Sequence, residues 1–97
     1  MNIQAMMAQA RKMQKDIEKT NKEIEESTFS YENNNILVES NGKYEITKIK
    51  IKNNDILEDS EMLEDVILVA INNVIDKINK MKEEKLGKYT SGLGGLF

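Results

Sequence analysis

Residues 60–85 read SEMLEDVILVAINNVIDKINKMKEEK, one helical pattern that carries three environments in order. It opens acidic at Glu61, Glu64 and Asp65, passes through the apolar run Val66, Ile67, Leu68, Val69, Ala70 and Ile71, and closes basic at Lys77, Lys80, Lys82 and Lys85. A helix that is apolar all round in its middle needs cover on more than one side. A chain of 97 residues has little to supply that cover except a second copy, so the stretch argues for a dimer. Ser60 is the expected N-cap, and the acidic residues after it suit the positive end of the helix dipole. The helix is expected to run to about Leu86, with Gly87 taking a left-handed stop.

Working towards the N-terminus, residues 28–52 change character, with β-branched and aromatic residues in short runs. Three strands are expected, over residues 28–32, 36–40 and 43–52. The first turn is Asn33, Asn34 and Asn35. The second is Asn41-Gly42, a hairpin signal because both residues tolerate positive φ. In the third strand Thr47, Ile49 and Ile51 point one way and Lys48, Lys50 and Lys52 the other. Tyr44 and Ile46 fall on the lysine side by strict alternation, so either a bulge shifts the phase near Thr47 or that face is partly covered. The polar connection over residues 53–59 holds an Ile56-Leu57 pair expected to tuck under the sheet.

Residues 3–24 repeat in heptads, with Ile3, Ala10, Ile17 and Ile24 at one seam position and Met6 and Met13 at the other, Thr20 interrupting the second series. No Gly or Pro breaks this helix, and its narrow seam points to packing against one other helix. The expected architecture is α+β, an α-β-β-β-α chain in which a three-stranded antiparallel meander is flanked by two long helices. Residues 1–87 form a single domain in this reading, and 88–97 a flexible C-terminal tail.

Composition narrows the chemistry. With no Cys and no His, disulfides, thiolate or zinc sites and His-based catalysis fall away. Carboxylate neighbours such as Glu58 and Asp59, or Glu64 and Asp65, have no nucleophile, cofactor loop or pocket signal beside them, so no enzyme, cofactor, metal or small-molecule substrate is expected. No apolar stretch approaches the roughly 20 residues of a membrane span, and no signal-type apolar core opens the chain, so a cytoplasmic protein is expected. The net charge of -3 argues against a nucleic-acid partner when taken alone, but its distribution is polar. Residues 56–75 hold five acidic and no basic side chains, whereas residues 76–97 hold five Lys against three acidic ones.

The order of elements and several residues resemble the YbaB/EbfC family of bacterial nucleoid-associated DNA-binding proteins. The resemblance rests on Met6, Met7, Gln9, Ala10, Met13 and Gln14, on the strand and turn from Val38 to Gly42, and on Ile49-Lys50-Ile51. It continues through Met62-Leu63-Glu64-Asp65, Ala70, Asn72 and the basic helix end to Ser91-Gly92-Leu93 and Leu96-Phe97. It implies a tweezer-like homodimer whose helices project from a central sheet and bind double-stranded DNA with little sequence preference, in the nucleoid, influencing its organisation or transcription. Three positions depart from the family's pattern. Asn35 stands where Gly is frequent, Asn53 and Asn54 stand near a frequent Pro, and the tail has no Pro; these bear on loops more than on the fold.

Candidate DNA contacts follow from charge spacing. Arg11, Lys12, Lys15, Lys19 and Lys22 form one stripe about 100° wide opposite the first helix's apolar seam. Each of these four lysines has a carboxylate three or four residues away, whereas Arg11 has none. On the second long helix Lys77, Lys82 and Lys85 also lack an acidic neighbour at that spacing. A charge not already paired contributes most when it releases a counterion, so Arg11, Lys77, Lys82 and Lys85 come first, with Lys12 and Lys15 next. The alternatives are a solvated helix face for the stripe and helix-dipole complementation for Lys82 and Lys85. Lys48, Lys50 and Lys52 read as an exposed strand face. Asn72 and Asn73 read as a polar interruption that sets register in a dimer core, and the methionines as seam packing. A coiled-coil or chaperone-like module that grips a protein partner through the Met-rich seam is the alternative function.

Overall fold

The computed structural model of the chain describes residues 2–93 and has the order α1 (Ile3–Glu26), β1 (Phe29–Glu32), β2 (Ile36–Ser40), β3 (Ile46–Ile51), a 3-10 turn (Asn54–Glu58) and α2 (Ser60–Leu93). This is the expected α-β-β-β-α chain. The strands form one antiparallel sheet in the order β1-β2-β3, with Tyr31 opposite Val38 and Val38 opposite Ile49. One face of that sheet carries the core. Ile36 and Val38 alternate inward from β2, and Ala70, Val74 and Ile78 meet them from one stripe of α2, with Ile24 of α1 and Phe29 of β1 closing the cluster.

Side-chain oxygens start each helical segment. Asn2 Oδ1 accepts from the N–H groups of Gln4 and Ala5 (3.1 and 3.3 Å), and Asn53 Oδ1 accepts from Asp55 N–H (3.0 Å). For α2 the cap is Asp59, not the expected Ser60: its carboxylate accepts from Met62 N–H (3.1 Å), and Ser60 is the first helical residue. The carboxylate satisfies the same free N–H with a full charge at the positive helix end. Of the pair in the preceding turn, Ile56 is buried and Leu57 is exposed.

The β2–β3 connection differs from a tight Asn-Gly hairpin. Asn41 Oδ1 accepts from the N–H groups of Lys43 and Glu45 (2.9 and 3.2 Å), so the chain turns over residues 41–45 around one carboxamide. The left-handed residue is Tyr44 (φ 64°), and no described glycine has positive φ. The third strand begins at Ile46 for this reason, later than residue 43. The phase question at Thr47 resolves as a bulge: Glu39 lies opposite Lys48 and Ser40 opposite Ile46, leaving Thr47 without a partner. The extra residue returns Ile46 to the face that holds Ile49 and Ile51.

Past the sheet, α1 and α2 run antiparallel as an arm. Of the expected seam of α1, Met13, Ile17 and Ile24 are buried or half-buried and Thr20 packs with them instead of interrupting, whereas Ile3, Met6 and Ala10 are exposed. Thr20 and Ile24 share a cleft with Met81 and Lys85, and Met13 shares one with Tyr89, so the seam's single partner is the C-terminal half of α2. The arm makes the molecule 69 Å long and only 22 Å across. The helix passes through Gly87 to Leu93 instead of stopping at Leu86. A glycine permits a left-handed stop but does not force one where the i→i+4 ladder continues. Of the tail expected over 88–97, residues 94–97 lie outside those described.

The apolar run of α2 divides by face. Ala70 is fully buried, whereas Leu68 and Val69 are 60% and 56% exposed. Among the described residues, no helix is long and apolar enough to cross a membrane.

Candidate nucleic-acid interface

The basic residues lie along the arm and at its root. Arg11, Lys12 and Lys15 are exposed on the N-terminal half of α1, towards the tip, with Lys12 beside Gln9, Asp16 and Tyr89. Lys85 borders the cleft between the arm's helices, near Thr20 and Glu23. Lys77 and Lys82 sit where α2 crosses the sheet. Five residues apart on a helix, they leave the axis about 140° from one another, so they serve opposite flanks.

Each of these two lysines is held by a group from the sheet or from the turn that joins β2 to β3. The Lys77 ammonium donates to the carbonyl of Ser30 on the edge strand β1, 5.9 Å from the Tyr31 ring centroid. The half-buried Lys82 places its ammonium 4.3 Å from the centroid of the Tyr44 ring. The Tyr44 hydroxyl in turn donates to Oδ1 of Asn79, one helical turn before Lys82. Tyr44 therefore ties the β2–β3 turn to α2 at two points, from a backbone conformation that costs a non-glycine residue about 1–3 kcal/mol.

The charge arrangement differs from the one that helical spacing predicts. Among the described residues the one ion pair is Lys52 to Glu32 (2.8 Å), across the sheet, and none of the helical lysine–carboxylate spacings closes. Exposed i,i+4 pairs gain too little to fix two long side chains. Lys48 and Lys50 stand opposite Glu39 and Leu37 on the same outer face, so that basic row is partly answered within the sheet. Glu32 is held below the ordinary carboxylate range by its hydrogen bond from Lys52, then by that ammonium's charge, with Lys50 and Lys48 adding.

Sequence reasoning missed Tyr44, Asn79 and the Ser30 carbonyl. A signal for Tyr44 was present: it breaks the period-two alternation two residues after the Asn41-Gly42 pair. No group of three or more His, Cys, Asp or Glu side chains gathers as a metal site among the described residues. Asp59 is occupied as a helix cap, and Asn73 leaves a buried Oδ1 without a hydrogen-bond partner.

The model of the YbaB/EbfC DNA-binding family matches residues 1–93. A protein of Ruminiclostridium cellulolyticum, named a nucleoid-associated protein, is 40% identical over 98% of this chain and 85% of its own length. One of Lactococcus lactis with the same name is 38% identical over 96% of this chain and 97% of its own. A third, of Ligilactobacillus salivarius, is 35% identical over 99% and 95%.

Proposed function

Because the chain belongs to the YbaB/EbfC DNA-binding family, we propose that it acts as a homodimer that holds duplex DNA by phosphate contacts along its arms, at the nucleoid, with effects on DNA organisation and transcription. The observation that carries this reading is the separation of two surfaces. Exposed cationic side chains line the projecting arm and its root, while the uncovered apolar side chains, apart from Ile3, Met6 and Met7 at the arm's tip, gather at the sheet and the first half of α2. Family membership supplies the DNA, and the charge distribution supplies the mode: cations spread along a rod meet a regular backbone charge and read no base edge.

The apolar surface supports pairing with a second copy. Ile46 and Ile49 share the core-bearing face of the sheet but are 38% and 49% exposed, because α2 covers β1 and β2 and leaves β3 open. Ile75 and Ile71 precede Asn79 at four-residue steps, on the α2 flank turned towards that open strand, and both are only half-buried. Leu68, seven residues before Ile75 on the same flank, extends the patch. A second protomer laid here would complete a core that one small chain cannot.

If each protomer supplies three to four phosphate contacts, the dimer makes roughly six to eight, and affinity for any duplex falls about a thousandfold or more between 50 and 200 mM salt. A gel-shift titration on unrelated duplexes measures this, and a flat salt response would overturn the reading. The alternative of a protein-gripping arm draws on Ile3, Met6 and Met7, all exposed at the arm's tip. It predicts co-purification with unfolded polypeptide, where the DNA reading predicts co-purification with DNA that survives moderate salt.

A further inference from the structure

Tyr44 occupies a position where its backbone is out of place. Its φ of 64° is the left-handed conformation that glycine or asparagine adopts most readily, yet an aromatic residue stands there, two residues after a glycine that does not use it. What the ring does from that position is specific. Its face lies 4.3 Å from the Lys82 ammonium, and its hydroxyl is fixed by Asn79 Oδ1. We infer that Tyr44 is the positioning residue of the DNA interface: it holds the Lys82 ammonium at a set place on the arm's root, ready to meet a duplex phosphate.

The argument turns on how a ring holds a cation. A carboxylate partner would neutralise the ammonium and occupy its N–H groups, whereas an aromatic face attracts the charge and leaves the outward N–H donors free for phosphate. Asp76 and Glu83 border the same groove as Lys82, and neither closes an ion pair with it among the described residues. Lysine is otherwise a flexible stem whose freedom is lost on binding, so a lysine already fixed in the free protein binds with less to lose. Lys77 differs: one of its N–H groups is committed to the Ser30 carbonyl. Positive φ in a bulky residue is the kind of strain that the surrounding structure retains where a side chain has a task.

This inference rests on the proposed DNA-binding function, and its test separates the two. The full chain carrying Tyr44→Leu, Tyr44→Phe, Lys82→Ala or the paired substitutions is titrated with an unrelated duplex across a salt series. Tyr44→Leu should weaken binding roughly three- to tenfold, the range of a partly desolvated cation–π contact, while keeping the salt slope of the unaltered protein. Lys82→Ala should lower the slope by about two for a dimer, one phosphate per protomer, and in that background Tyr44→Leu should have almost no further effect. Tyr44→Phe keeps the ring and should keep most of the affinity. Should Tyr44→Leu fail to fold, the second readout is the ring-current shift of the Lys82 methylene protons, expected in the unaltered protein and in Tyr44→Phe. Equal losses in both Lys82 backgrounds, no loss in Tyr44→Leu, or absent ring-current shifts would overturn Tyr44's role and leave the DNA reading standing. A flat salt response of the unaltered protein would overturn both.

Discussion

The backbone N–H of Gly42 donates to the carbonyl of Glu25 (3.2 Å), joining the β2–β3 turn to the last turn of α1. The approach is so close that a Cβ on Gly42 would run into the carbonyl of Ile24 and crowd Glu25 Cα. Glycine is required here by proximity, not by φ. Its neighbours are backbone atoms of a helix end and cannot swing away as a side-chain tip can. Gly42→Ala is therefore expected to destabilise the protein by roughly 3 kcal/mol, the upper end of overpacking costs, read as a lowered midpoint in thermal unfolding. An unchanged midpoint would mean that α1 docks elsewhere in solution.

Gly87 has the opposite expectation. It lies inside α2, and a Cβ there would meet nothing within 4 Å. Gly87→Ala should stabilise the protein by about 0.5–1 kcal/mol, because alanine loses less backbone freedom in a helix. Thermal unfolding checks it. A lower midpoint would indicate that the helix stops at Gly87 after all.

These two glycines also mark where sequence is legible. Alternation in β2 and the asparagine-rich turns are local patterns and sit where the sequence places them, whereas the heptad seam of α1 is packed only from Met13 to Ile24, with Thr20 inside it, and its first turns at Ile3, Met6 and Ala10 are exposed because α2 does not cover them. Asn41-Gly42 signals a turn correctly but for a different reason, since the contact that needs glycine comes from Ile24, outside the local window. The bulge at Thr47 is invisible without its cross-strand partner. Sorting lysines by carboxylates on the same helix misses the groups that hold Lys77 and Lys82, because Ser30 and Tyr44 reach them from the sheet. A helix pattern reveals which charges share a face; it does not reveal what the rest of the fold brings to that face.

Glu32 offers a pH-resolved test of the outer sheet face. Its lowered carboxyl value means that the Lys52 contact adds stability above the ordinary carboxylate range, and that this contribution is lost as pH falls through the lowered folded value. A carbon-detected NMR titration should find Glu32 titrating below the ordinary glutamate range, and Lys52→Met should move it back up. No movement would mean that the pair seen at 2.8 Å does not persist in water.

Arg11 and Lys77 are expected to separate binding from folding. Arg11 stands exposed near the arm's tip with no ion-pair partner among the described residues, so Arg11→Ala should lower the salt slope of duplex binding by about two in a dimer and leave unfolding unchanged. Lys77→Ala should in addition lower stability, because it removes the donor to the Ser30 carbonyl on an open strand edge. Combined, the two should weaken all sequences alike. Selective loss for one duplex would indicate base readout instead.

The dimer surface is tested by placing charge where one protomer tolerates it and two do not. Leu68 and Ile49 are 60% and 49% exposed in the single chain, so Leu68→Asp or Ile49→Lys should alter the fold of an isolated protomer little. Across a paired apolar face the same charge is buried without a partner and costs about 3 kcal/mol or more. Sedimentation velocity should then report monomers whose circular dichroism retains the helical signal. Duplex affinity should fall with the dimer, and the salt slope should drop by about half as one protomer's phosphate contacts are lost. If both variants remain dimeric with unaltered affinity, the open flank of α2 and β3 is not where two copies meet.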